Sequence, residues 1–177
     1  MVKTQQYMKG GKIYSVNNLL SEKELTSLRT SVDTFNPLRS PGESGNYYYN
    51  TSLDVNDYTT FIRNIEEYYQ GMNSKYLVEI EGLWINRVNT LSNTSDNFHV
   101  DASELSTVTL LNDDYEGGYF NYINEKEEDV QFRGKKYTTL IFNGKFTKHR
   151  VLPVTKDTRW SLVTFWQTKI KTTKTLL

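Results

Sequence analysis

The sequence predicts a mainly β fold, a sandwich or jelly roll, with two helices from the amino-terminal half packed on one sheet. Three observations predict it. From Tyr76 onward, short runs rich in β-branched and aromatic residues follow one another, joined by Gly and Asn turns. Before them, two stretches carry apolar residues at helical spacing. The 177 residues suffice for one sizeable core and show neither an internal repeat nor a second domain. A single domain over 1–177 is expected, with a strand and helix layer over about 12–71 and a β core over about 76–168.

Taken in order, Lys12 to Val16 alternate as a short strand. Ser21-Glu22-Lys23-Glu24 is a capping box, so a helix is expected from Glu22 to Val32 with Leu25, Leu28 and Val32 as its apolar stripe. Asn36 to Asn46 carries two prolines and two glycines, the composition of a mobile loop. Tyr58, Phe61, Ile62, Ile65, Tyr68 and Tyr69 recur at helical spacing over Val55 to Gln70, and Gly71 is placed to stop that helix. Strands are expected at Tyr76–Val88, Leu105–Leu111, Tyr119–Ile123, Val130–Arg133, Tyr137–Phe142, His149–Val154 and Thr158–Gln167. Glu125 to Asp129 reads as a solvated hairpin tip, Asn89 to Asn97 as a polar loop leading into His99, and Lys169 to Leu177 as a frayed tail.

Lys and Arg balance Asp and Glu at 21 each, so nothing advertises a polyanionic partner such as nucleic acid or an acidic membrane. Cysteine is absent, which removes disulfides and thiolate metal sites. The start, Met1 to Tyr7, lacks the apolar core of a signal peptide, and no stretch has the length of a membrane span; a soluble cytoplasmic protein is expected. Tyrosine is abundant at 13, densest in Tyr47-Tyr48-Tyr49, which reads as amphipathic strand and loop residues rather than a substrate-gripping patch.

The chemistry-bearing residues are few. The chain has only two histidines, and one opens His99-Val100-Asp101. In an extended segment His99 and Asp101 project to the same side. Together with the distant His149 they form a set of two imidazoles and one carboxylate, which leaves about three of six octahedral positions open, the arrangement of non-haem iron(II) oxygenases. Ten residues after His149 comes Arg159-Trp160-Ser161 in an apolar strand, where Arg159, Ser161 and Val163 share a face. A guanidinium there needs an anion, supplied either by a ligand carboxylate or by a carboxylate of the chain such as Glu116 or Asp114. Alone, each of these signals arises by chance; their conjunction in one order is what carries weight.

These residues resemble the iron(II)/2-oxoglutarate-dependent oxygenases, specifically the prolyl 4-hydroxylase-like branch. His99-x-Asp101, His149 and Arg159-x-Ser161 match in order and spacing, as do Leu111 to Gly118 with its Gly-Gly segment, Leu140-Ile141-Phe142 and His149 to Val154. The likeness is strongest over residues 84 to 166. It implies a double-stranded β-helix, iron held by His99, Asp101 and His149, and 2-oxoglutarate clamped by Arg159 with support from Ser161. Dioxygen is the further cosubstrate, and ascorbate a candidate accessory reductant. The implied reaction hydroxylates a C–H bond while 2-oxoglutarate is decarboxylated to succinate.

Some positions depart from the family's pattern. Val88 and Leu110 stand where many relatives carry tyrosines lining the cosubstrate pocket; Ser161 or a threonine of Ser106-Thr107-Val108-Thr109 is the candidate replacement. Asn86-Arg87 is similar to the superfamily's nucleic-acid dealkylases, in which an Asn of this strand touches the cosubstrate, so Asn86 joins the candidate cofactor residues. Their second arginine after the distal histidine is absent. The expected prime substrate is a protein or peptide side chain, proline first. A free amino acid, another small molecule or an alkylated nucleobase is the alternative, and a non-catalytic jelly-roll binding module the last.

Overall fold

The sequence folds, in a computed structural model that describes residues 10–34, 49–92 and 97–171, around two facing β layers with helices on the outside of one. Strand β1 (Ile13–Asn17) leads to helix α1 (Glu22–Asp33). Strand β2 (Tyr49–Ser52) and a 3-10 turn (Val55–Tyr58) precede α2 (Thr59–Met72) and the long β3 (Tyr76–Asn89). Then follow β4 (Leu105–Leu110), β5 (Glu116–Gly117), β6 (Phe120–Ile123), β7 (Asp129–Phe132) and β8 (Thr138–Phe142). The chain continues through β9 (His149–Val151), β10 (Val154–Lys156) and β11 (Thr158–Ile170). The major sheet runs β1-β8-β4-β11-β3-β2, all antiparallel; the opposing layer is β7-β6-β9 with the short pair β10-β5. This is the expected jelly roll with two helices on one sheet.

Strand alternation divides β11 between two environments. Leu162, Thr164 and Trp166 are fully buried toward the helical layer, where Leu162 and Trp166 join Phe61, Ile65 and Tyr69 in one apolar cluster. Arg159, Ser161, Val163 and Phe165 face the other way and line a cavity between the layers. Antiparallel pairing then sets the neighbours: Ser161 lies between Asn86 on β3 and Leu110 on β4, and Val163 between Trp84 and Val108.

The helices form where their caps and stripes predict. Ser21 accepts from the Glu24 backbone while Glu24 reaches back to the Ser21 amide, the full capping box. Glu24 does more than cap. Only 2% exposed, it also accepts the Phe61 amide at 2.9 Å, tying the start of α1 to the start of α2. Glu24→Ala is expected to lower stability by about 2–4 kcal/mol, because it removes a cap and strands a buried N–H. A fall in the urea midpoint checks this, with Glu24→Gln recovering part of the loss.

Several boundaries differ from expectation. Gly71 does not stop α2: its backbone is not left-handed, and the helix runs through it to Met72 before the extended Asn73 (φ −148°) turns the chain into β3. The run His149–Val154 is two strands in different sheets, broken at Leu152-Pro153 because proline has no N–H for a ladder. The expected tail begins later, since β11 extends through Lys169 and Ile170. Strand β2, unanticipated, pairs along β3 at the sheet edge. The hairpin tip holds: Asn124 Oδ1 accepts the Lys126 and Glu128 amides. The Pro-Gly loop at 36–46, the Tyr47-Tyr48 part of the tyrosine cluster, positions 93–96 and the final residues 172–177 lie outside the described residues. No helix among the described residues is long and apolar enough to cross a membrane.

Candidate active site

Two separate pieces of chain bring the histidines together. His99 and His149 exchange backbone hydrogen bonds in an isolated antiparallel bridge, each N–H to the other's carbonyl at 2.9 Å, which sets their rings 4.4 Å apart. Asp101, two residues on, turns to the same side and brings an oxygen within 3.7 Å of His149 Nε2. One ligand atom from each of His99, Asp101 and His149 lies within 4.8 Å of the others, close enough for a small side-chain adjustment to bring all three onto one ion with bonds of about 2.0–2.2 Å. Two neutral imidazoles and a carboxylate on one side of an ion suit ferrous iron and leave its other side to ligands from the cavity.

His149, one of the candidate ligands, is held by its surroundings. His149 is 6% exposed, with Phe120 stacked on its ring at 5.3 Å and Phe142 edge-on at 4.8 Å. Its Nδ1 meets the Thr147 carbonyl at 2.9 Å; a carbonyl only accepts, so Nδ1 carries the proton and the Nε2 lone pair faces Asp101. Burial pushes this imidazole below its ordinary 6.5, opposed by Asp101 and the Thr147 carbonyl and reinforced by His99. With the folded value below the unfolded one, the unfolded chain takes up more protons. The metal-free protein is therefore expected to lose stability as pH falls through 6.5, and this group to contribute no slope above it. Melting curves between pH ~8 and ~5.5 check this, with a shallower slope in His149→Gln.

Arg159 lines the same cavity. It is 2% exposed, and its Nη1 donates to Ser161 Oγ at 3.0 Å. The two carboxylates that could have engaged it have other partners: Glu116 is met by Lys156 at 3.2 Å and Asp114 by Asn112 at 2.6 Å. Gly118 makes room for it. At φ +62° a Cβ there would lie 3.0 Å from Arg159 Cδ and 2.9 Å from Val154 Cγ2, so the second glycine of the Gly-Gly pair has both a conformational and a steric reason. The cavity, about 340 Å³, is lined by His99, Asp101, His149, Arg159, Ser161 and Asn86 together, walled by Val88, Val108, Val151 and Val163. All six candidate residues thus converge on one space.

Residues 84–167 match the model of the 2OG-Fe(II) oxygenase superfamily. The matched segment, just under half of the chain, is the part that carries His99, Asp101, His149, Arg159 and Ser161. Solved structures agree in fold. A 2OG-Fe(II) oxygenase-family oxidoreductase from Burkholderia pseudomallei superposes with a TM-score of 0.69 at 16% identity, covering 88% of this chain and 85% of that one. A Pseudomonas putida prolyl-4-hydroxylase gives 0.68 at 13% identity over 89% and 92% of the two chains. A Trichoplax adhaerens prolyl hydroxylase, in complex with a hypoxia inducible factor oxygen degradation domain peptide fragment, gives 0.65 at 13% identity over 89% and 84%. No curated protein matches the sequence. The chain is accordingly an enzyme of the 2-oxoglutarate-dependent oxygenase class, using iron(II), 2-oxoglutarate and dioxygen.

One sequence expectation about this oxygenase fails. Thr107 and Thr109 do not replace the missing tyrosine hydroxyls, because alternation along β4 sends Ser106 and Val108 into the cavity and the threonines to the helical side. There Thr107 pairs with Thr164, and Thr109 with Thr139 at 2.8 Å. Sequence reasoning also missed three supports of the ligand set: Ser106, Gly144 and the Thr147 carbonyl. Ser106 was detectable as the inward-facing residue of an expected strand; Gly144 and Thr147 sit in a β8–β9 turn whose shape no local motif specifies.

Proposed function

We propose that this oxygenase is a single-domain hydroxylase acting on a prolyl-type side chain of a protein or peptide. In this reading His99, Asp101 and His149 hold the iron, while Arg159, Ser161 and Asn86 hold 2-oxoglutarate. The observation that carries it is the make-up of one cavity: a three-donor cluster that includes the exposed His99 and a buried guanidinium line the same space, joined by apolar walls. When bound, iron supplies with 2-oxoglutarate and dioxygen the oxidising power, the cosubstrate leaving as succinate and carbon dioxide.

The chain's own residues bind, orient and exclude. Arg159 neutralises the far carboxylate and fixes which end of the cosubstrate enters first, with Ser161 keeping the guanidinium fork aligned at 3.0 Å. The Asn86 amide stands beside Ser161 and offers both a donor and an acceptor. Val88, Val108, Val151 and Val163 keep water from the reacting end. The peptide substrate is favoured by the likeness to the Trichoplax prolyl hydroxylase in complex with a peptide fragment and by the zero formal net charge, which lacks the basic surplus that recruits nucleic acid. Succinate release in the presence of iron(II) tests the reading. Proline-rich peptides are expected to stimulate it above the uncoupled rate, and stimulation only by free proline or by methylated oligonucleotides overturns the peptide assignment.

A further inference from the structure

We infer that Ser106 is a positioning residue of the metal centre, whose hydroxyl holds Asp101 so that a single carboxylate oxygen is presented to the ion. The inference rests on the assignment of His99, Asp101 and His149 as the iron ligands. Ser106 sits on the central strand β4, paired with Phe142 on one side and Phe165 on the other, and is 1% exposed. Its Oγ lies 2.6 Å from Asp101 Oδ2. An ionised carboxylate can only accept, so the serine donates, and the length is that of a charge-assisted bond. The other oxygen, Oδ1, is the one that lies 3.7 Å from His149 Nε2, on the ligand side.

The backbone is built to bring these groups together. The Asp101 amide donates to the Gly144 carbonyl at 2.9 Å, which anchors the aspartate from the main chain. Gly144 has no room for a side chain: a Cβ would fall 2.4 Å from Ser106 Oγ, 2.4 Å from the Ser103 carbonyl oxygen and 3.0 Å from Asp101 Cβ. Main chain, serine and glycine therefore fix both the position of the aspartate and the rotation of its carboxylate. Without the hydroxyl that rotation is free, and both oxygens can turn to the ion. A carboxylate bound through two oxygens fills one of about three positions that the cosubstrate and dioxygen require. Loss of an outer-shell partner of this kind costs roughly 10–100-fold in metal affinity.

The test is Mn(II) titration of the full chain, an oxygen-stable probe of the site, with melting measured in the metal-free and Mn(II)-loaded protein. Ser106→Ala is expected to weaken Mn(II) binding roughly 10–100-fold and to shrink the metal-dependent rise in melting temperature, while the metal-free melting temperature changes less. Ser106→Cys, of nearly the same volume with a weaker donor, is to reproduce the loss should the alanine variant fold poorly. Ser106→Thr, which retains the hydroxyl, is to bind like the parent. Parent-like binding by the alanine or cysteine variant overturns the inference, as does a fall in metal-free melting with an unchanged metal-dependent increment, the mark of a purely structural serine. Equal weakening in the threonine variant also overturns it. Failure of the parent chain itself to bind Mn(II) is a different result: it removes the metal-centre assignment and the inference with it.

Discussion

His149→Ala is expected to abolish iron(II) binding and, with it, all succinate formation from 2-oxoglutarate. The expectation follows from how little redundancy the site contains. The described residues offer one three-donor cluster of this kind, His99, Asp101 and His149, and the chain has no third histidine and no cysteine to substitute. Two remaining donors, one of them on the exposed His99, cannot enforce a three-sided geometry on an ion that water already solvates well. The loss should exceed the roughly 10–100-fold typical of an outer-shell change. It should also be separable from unfolding. The contact that joins the two histidine segments is made by their backbones, so the bridge survives the substitution, and the cost to the fold is the cavity left between Phe120 and Phe142. Circular dichroism and metal-free melting read that cost; Mn(II) titration reads the site. A folded His149→Ala protein that still binds Mn(II) stoichiometrically and tightly would place the centre elsewhere.

The same locality explains what the sequence could reveal. Signals survive in sequence when the physics is short-ranged. The capping box at Ser21 and Glu24, the helical stripe ending at Tyr69 and the same-side geometry of His99 and Asp101 each depend on residues a few positions apart, and each appears in the structure. The alternation of Arg159, Ser161 and Val163 likewise needs only the period of a strand. What was illegible depends on pairs far apart. That Glu24 should receive the Phe61 amide, that Gly144 should pack against Asp101, or that β9 and β10 should part company into separate sheets is decided by tertiary placement. The error at Gly71 has the same origin. Glycine permits a left-handed stop but does not compel one, and the pairing of β3 with β11 immediately afterwards decides where the helix ends. The face of the β4 threonines is set by the same strand period: with Ser106 turned toward Asp101, Thr107 and Thr109 point to the opposite side.

Arg159→Ala is expected to raise the 2-oxoglutarate concentration needed for half-maximal turnover by about 30- to 700-fold, leaving Mn(II) affinity intact. The figure corresponds to about 2–4 kcal/mol, the range for truncating one partner of a buried, hydrogen-bonded charge pair. Burial is what makes it large: at 2% exposure the guanidinium would meet a bound carboxylate with little water to screen the attraction. Because the far carboxylate takes no part in bond breaking, its binding is uniform between ground and transition states, so kcat at saturating cosubstrate should change far less than KM. Arg159→Lys should fall between, since it keeps the charge but loses the planar fork that Ser161 aligns. The decisive comparison uses 2-oxopentanoate, in which a methyl replaces the far carboxylate. The parent enzyme should strongly prefer 2-oxoglutarate to this analogue, and Arg159→Ala should erase most of that preference by penalising only the dicarboxylate. A preference that survives the substitution would mean that another group holds the far carboxylate, and would reassign Arg159 to the packing of Gly118 and Val154 beneath the cavity.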